Sequence, residues 1–383
     1  MVLLSKKLIA RAKLFITSMS AMSLGKNTPP TSKPASGIKI THSRNFLSWL
    51  RQHNISLALS TYQSSRLMLI GTTSQGAFSG FERIFNRAMG LCTTTDGERI
   101  YLAGRDRLWQ LDNVLAPGQL HNNHDKLYIP RIGYTTGDID THDVAIDKQG
   151  RVLFISTLFN CIATLSHKHS CQPLWKPAFI SKVINEDRCH LNGLAMVAGE
   201  AKYVTACSRS DVVDGWREKR SDGGCVIEVE SNEIVATGLS MPHSPRWYRD
   251  KLWLHNSGTG EFGYIDLEAG RFEPVVFCPG YLRGLAFVGD YALVGLSMAR
   301  DATFTGLQLQ QTLAAKDVSD RCGVMVIDLN TTAVVEWLNF TGEVTELYDI
   351  QVLAGARQPM ALGFQTDEIA RLLTVEPIGS LGD

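Results

Sequence analysis

The feature that most constrains this chain is internal repetition. A strand–turn–strand pattern, THDVAIDKQGRVLFISTLFNCIAT from Thr141, turns at Lys148-Gln149-Gly150 and recurs in five variants. These begin at Met89 (MGLCTTTDGERIYLAG), Asn192 (NGLAMVAGEAKYVTAC), His243 (HSPRWYRDKLWLHNS), Arg283 (RGLAFVGDYALVGLS) and Asp349 (DIQVLAGARQPMALGF). With His142 as the opening residue of the second unit, successive units start 53, 50, 51, 40 and 66 residues apart. A second hairpin follows the first in most units. The third unit offers strands at 193–197, 201–207, 225–229 and 233–238. Four strands per unit at this period is the pattern of a β-propeller, in which radially packed sheets cover one another. The predicted fold is therefore all-β, a six-bladed β-propeller. A β-sandwich is the alternative, and six similar units argue against it.

The same pattern predicts how the ring closes. The sixth unit has only two strands before the C-terminal tail, and an orphan hairpin at 56–62 and 66–72 precedes the first unit. That N-terminal hairpin is expected to complete the last blade, two strands from each end, so that no sheet edge is left open. A short helix is expected at 45–52 and a loop at 73–86. The expected organisation is a flexible N-terminal extension with a Pro/Ser linker over 1–42, the propeller over 43–375 and a tail over 376–383.

Charge narrows the partners. Lys plus Arg (38) equals Asp plus Glu (38), so no basic field argues for nucleic acid. No apolar run approaches the ~20 residues of a membrane-spanning helix. The first 26 residues carry Lys6, Lys7, Arg11 and Lys13 and no acid. They read as a targeting peptide, a membrane-surface helix or a plain extension, with Met19 and Met22 as alternative starts. The eight cysteines form no C-x-x-C pair, and several sit in apolar strand patterns. They are expected to be reduced core thiols of a cytoplasmic protein.

In a propeller, the residues that open the first strand of each blade ring one mouth of the central channel. Loops between the second and third strands return to that mouth. Aligning the units gives the column Met89, His142, Asn192, His243, Arg283 and Asp349, of which all but the first are polar. His142, His243 and Asp349 fall on alternate blades. Two imidazoles and a carboxylate converging on one axis could hold a divalent transition metal (Fe, Zn or Mn) with open positions. Such a metal would acidify a water or polarise a carbonyl. The same column could instead grip a small-molecule ligand without metal, or be structural.

Asn192 and Arg283 are candidates for orienting substrate, with Arg209 and Asn256 beside them. His190 and His255 are candidates for moving protons. Arg300 follows the second strand of the fifth unit, as Arg209 does in the third. Two insertions, 208–224 and 298–322, are expected to form a lid or a partner surface, the second with a helix at 307–315. No G-x-S-x-G elbow, phosphate-binding loop or H-E-x-x-H pair is present.

The set T-H-D-V-A (141–145), H-L-N-G-L-A (190–195), P-H-S-P-R-W (242–247), L-H-N-S-G-T-G (254–260) and Y-L-R-G-L-A-F (281–287) resembles the bacterial domain-of-unknown-function family DUF4915 over roughly residues 43–375. That family carries no reaction, so the resemblance implies none. The x-G-L-A strand openings look more distantly like NHL-type and gluconolactonase-like six-bladed propellers, several of which place a metal at the channel mouth. Their channel acids are not matched here, where Asp349 is the column's one carboxylate. Calcium is accordingly disfavoured against a histidine-bound metal. The expected function is a metal-dependent enzyme acting on a small polar or anionic substrate at the channel mouth. The alternative is a non-catalytic propeller that binds a ligand or a protein.

Overall fold

A computed structural model describes residues 37–299 and 306–375. The basic N-terminal segment, Arg300 and the 376–383 tail lie outside the described residues. Among the described residues the strands form six sheets. The inner strand of each sheet touches the inner strand of the next, and the last touches the first, which closes a six-bladed propeller.

The inner strands are Leu91–Thr93, Thr141–Ile146, Leu191–Val197, Pro242–Tyr248, Tyr281–Val288 and Asp349–Ala354, in blades 1 to 6. Blades 2, 3 and 4 are plain four-stranded antiparallel meanders. Their strands form because β-branched and aromatic residues alternate with turn residues, and each blade buries both faces against its neighbours. Six hydrophobic clusters result, one at each blade interface. Leu57, Ile70, Leu293 and Val324 join blades 5 and 6, and Ala58, Leu69, Leu91 and Leu102 join blades 6 and 1. The strand Ile55–Thr61 is buried at every residue because it is sandwiched in this way.

The closure differs from the expected two strands from each end. Blade 6 takes one strand from the C-terminal side, Asp349–Ala354, and three from the N-terminal side: Ile55–Thr61, Arg66–Thr72 and Phe78–Ile84. The segment expected as a loop at 73–86 thus holds the outermost strand of the blade. Its half-exposed alternation and Gly80 disguise it. The second strand expected in the sixth unit, Pro359–Ala361, leaves the blade and pairs parallel with Lys126–Tyr128 on the rim of blade 1. Asp125 draws it there by accepting the N–H groups of Arg357 and Gln358 at 2.8 and 2.7 Å.

At the other end, Ile38–His42 lies within the stretch expected to be linker, yet it pairs with Val334–Gly342 as a fifth strand of blade 5. The segments Ile38–His42 and Pro359–Ala361 thereby flank blade 6.

The expected helices are found at Phe46–Gln52 and Gln308–Ala315. The two inserted segments meet over the channel mouth. Trp216 of the first and Leu307 and Leu309 of the second share one cluster with Cys207, Met241 and Tyr281. All eight cysteines are free thiols. No helix among the described residues is long and apolar enough to cross a membrane.

Candidate functional site

Three interblade hydrogen bonds fix the register of the mouth. Asp143 Oδ2 accepts the Leu194 N–H at 2.9 Å, Ser244 Oγ accepts the Gly284 N–H at 3.0 Å, and Asp349 Oδ2 accepts the Leu91 N–H at 2.8 Å. Asp143, Ser244 and Asp349 are therefore equivalent, each clasping blade 2, 4 or 6 to the blade that follows. The odd blades carry glycine at that position. A Cβ on Gly90, Gly193 or Gly284 would come within 3.2 Å of backbone atoms of His142–Asp143, Ser244 or Asp349–Ile350 respectively.

The ring one residue earlier is Met89, His142, Asn192, His243, Arg283 and Tyr348. The sequence alignment was thus one residue out in blade 6, where Tyr348 and not Asp349 shares the column of the histidines.

This shift breaks up the expected metal set. Both Asp349 oxygens are engaged, Oδ2 by Leu91 N–H and Oδ1 by Ile350 N–H at 2.8 Å. The carboxylate lies 3.8 Å from Arg246, whose guanidinium grips Asp143 through two contacts of 2.7 and 3.1 Å. Burial pushes Asp349 up to about 7, and the Asp143 charge adds to the shift against the opposing pull of Arg246. Arg246 plugs the channel under the mouth. Among the described residues no group of three or more His, Cys, Asp or Glu side chains is arranged to hold a metal.

Above the plug lies a cavity of about 220 Å³, lined by Tyr62, His142, His190, Trp216, Arg283 and Tyr348 among others. Beneath it a recess of about 10 Å³, room for one oxygen atom, is lined by Asn192 and His243 above the Asp143–Arg246–Asp349 cluster, with His142, Arg283 and Tyr348 shared between the two spaces.

Each channel histidine is anchored through Nδ1. His142 Nδ1 lies 3.1 Å from the Asp140 carbonyl and 2.7 Å from Thr157 Oγ1. The Thr157 hydroxyl itself donates to Leu191 O, so it accepts from His142. Burial pushes His142 down to about 4, with Asp140 opposing and His190 and Arg283 reinforcing the shift. His243 donates Nδ1–H to Met241 O at 2.7 Å and leaves a buried Nε2 without a partner. Burial, followed by Arg283, holds His243 well below its usual range. Both rings are neutral bases.

Arg283 is only 9% exposed. Its guanidinium carbon sits 4.6 Å from the Tyr348 ring and 5.5 Å from the Tyr281 ring. Its Nε has no hydrogen bond. No described carboxylate lies within ion-pair distance of it.

His190 stands opposite with a backbone φ of +52°, a left-handed conformation that few non-glycine residues adopt. Asp187 holds it there, accepting the His190 backbone N–H at 3.0 Å and its Nδ1 at 2.7 Å. The ring stacks on Trp216 at 4.1 Å and meets His142 edge-on at 4.9 Å.

Of the residues expected at the site, His142, His190 and Arg283 line the cavity, and Asn192 and His243 line the recess. Asp349 also lines the recess, with both oxygens engaged by backbone N–H groups, and the remaining three stand apart. His255 is fully buried between blades 4 and 5, with Nε2 at 3.0 Å from Gly284 O. Asn256 accepts the Ser240 N–H at 2.7 Å and braces a turn. Arg209 is exposed and lines neither space. A strand-end position told nothing about which way these side chains turn.

Asp187, Tyr348 and Arg246 were not singled out from sequence, whereas Trp216 belongs to the first inserted segment, expected as a lid. The D-x-x-H spacing of Asp187 and His190 was the available signal for the first.

Among solved structures, a chain of the nidogen/laminin complex superposes with a TM-score of 0.50 at 12% identity, covering 79% of this chain and 99% of that one. That likeness speaks to the propeller fold. A selenomethionine-substituted virginiamycin B lyase from Staphylococcus aureus aligns at 10% identity over 80% of this chain and 99% of its own, with a TM-score of 0.39. The dihydro-heme d1 dehydrogenase NirN in complex with DHE aligns at 15% over 74% of this chain and 63% of its own, with a TM-score of 0.40. No curated protein matches the sequence. The model of the domain of unknown function DUF4915 matches residues 44–362, and the chain belongs to that family.

Proposed function

We propose that the channel mouth binds a small anionic molecule and acts on it by acid–base chemistry, with Arg283 as the anchor and His190 as the proton-moving group. The observation that carries this reading is the buried guanidinium of Arg283 beside a cavity, with no carboxylate in contact with it among the described residues and with Glu346 and Asp140 acting on it only from farther away. A buried charge without a contacting counter-ion is costly to desolvate, so a fold with no use for it would gain little by keeping it. The neighbouring imidazoles of His142 and His243 are neutral, and two aromatic faces flank the cation. An anion is the ligand that such a setting favours. The cavity is smaller than the roughly 300–1,000 Å³ of sites for drug-sized ligands, which points to a small metabolite-like molecule.

Acid–base work is supported by Asp187. A carboxylate on Nδ1 fixes the His190 tautomer and leaves Nε2, which bonds to no described residue, as the nitrogen that can take or give a proton. Metal dependence has weaker support. Only the two histidines of the expected set remain available, and Arg283 repels a cation placed between them.

The test is thermal unfolding of wild type and Arg283→Met with a panel of small carboxylates and phosphates. At least one anion should raise the wild-type Tm and none should raise that of the variant. Without ligand, the variant should be as stable as wild type or more so. A variant that is several kcal/mol less stable without ligand would make Arg283 a structural residue. Metal analysis of untagged protein beside His142→Ala decides the metal question directly.

A further inference from the structure

The recess beneath the cavity has a hydrogen-bonding pattern of its own. Asn192 is 3% exposed, and its Nδ2, beside the Cys207 sulfur, has no oxygen or nitrogen partner among the described residues. Tyr348 is 5% exposed, and its hydroxyl is unpaired. Arg283 Nε adds a third donor, also unpaired. The fourth atom, His243 Nε2, is of the opposite kind. Its Nδ1 faces a carbonyl, which can only accept, so Nδ1 carries the hydrogen and Nε2 presents a lone pair.

The recess therefore asks for an atom that accepts hydrogen bonds and also donates one. A carboxylate or ketone oxygen cannot donate, and an ammonium cannot accept. A hydroxyl does both, and the room for one oxygen fits it. Three buried polar atoms left without partners, with an amide N–H whose one neighbour is a thiol, are uncommon at one place, because each unpaired atom costs about 1–3 kcal/mol of lost solvation.

We propose that the recess is a hydroxyl subsite. The ligand of the mouth is then a small hydroxylated anion of the 2-hydroxy-acid type. Its carboxylate or phosphate lies on Arg283, and a hydroxyl a bond or two away enters between Asn192, His243 and Tyr348. This rests on the reading of Arg283 as the anion anchor.

Matched pairs that differ by one hydroxyl test it. Calorimetric titration of the full chain compares L- and D-lactate with propionate, and 2-hydroxypropyl phosphate with n-propyl phosphate. The two pairs separate a carboxylate from a phosphate anchor group. In at least one pair the hydroxylated member should bind about tenfold or more tightly, because the deoxy partner leaves buried groups unpaired. Tyr348→Phe, which removes only an oxygen that the fold does not use, should reduce that ratio toward one while leaving the deoxy affinity unchanged. Equal affinity within both pairs in wild type would mean that the recess holds water only, which overturns the subsite and leaves the anchor standing. Failure of all five probes to bind would overturn the anchor and the subsite together.

Discussion

Tyr348 and Asp349 differ by one position and have unrelated roles. Three units open with x-G-L, which sets their alignment, but the glycine position is filled by Asp143, Ser244 and Asp349 in the alternate blades. Matching by polarity then favours Asp349 over Tyr348 in the mouth column, and only the interblade hydrogen bonds reveal the slip. The histidines were legible because polar residues opening a repeat have to face the axis. Their protonation was not, because it follows from burial. His142 and His255 are pushed down to about 4, and His243 well below its ordinary range. A folded pKa below the unfolded 6.5 means that unfolding takes up a proton, so this stability is complete above 6.5 and is lost as pH falls toward 4. Asp349 has the opposite sign. Its folded value of about 7 exceeds the unfolded 3.8, so the folded state holds the extra proton and gains stability as pH falls through that window. Three histidine protons against one from Asp349 leave a net uptake of two on unfolding. Stability should drop between about pH 6.5 and 4.5 by up to roughly 2.7 kcal/mol per pH unit. Urea midpoints at pH 7 and pH 5 read this directly, and an unchanged midpoint would mean that the rings are not buried neutral.

At the level of elements, inner and second strands were legible from repeat and alternation, whereas outer strands were not. Phe78–Ile84 packs on one side only and keeps Ser79, Gly80 and Glu82, so its composition resembles a loop. The glycines that open the odd blades show why the inner strands can crowd the axis. Gly284 has φ +76°, and a Cβ there would lie 2.8 to 2.9 Å from backbone atoms of Ile350 and Asp349, which cannot swing aside. Gly284→Ala should cost about 2–5 kcal/mol, combining left-handed strain with overpacking. Gly150→Ala is the control. It shares the strain at φ +78°, but nothing lies within 4 Å, so about 1–2 kcal/mol is expected. Denaturant midpoints compare the two, and equal losses would show that the close approach of blades 5 and 6 carries no weight.

For the whole molecule, blade count and the use of an N-terminal segment to close the ring follow from the repeat, but the division of strands does not. Turn chemistry decides it. Gly355 at φ +71° and the Asp125 carboxylate send Pro359–Ala361 to the rim of blade 1, so the N-terminal side must supply three strands. The consequence can be tested by truncation. A chain starting at Ser43 loses Ile38–His42, a rim strand with alternating half-exposed residues, and should still unfold cooperatively with a Tm lower by a few degrees. A chain starting at Thr73 loses Ile55–Thr61 and Arg66–Thr72, whose side chains fill both seams of blade 6, with Leu57 and Ile70 on one side and Ala58, Leu67 and Leu69 on the other. It should show no cooperative transition. Arg283 and Tyr348 stand on blades 5 and 6, so the open ring should also bind no anion. A cooperative transition near the wild-type Tm in the shorter chain would show instead that five blades and one strand hold the mouth together unaided.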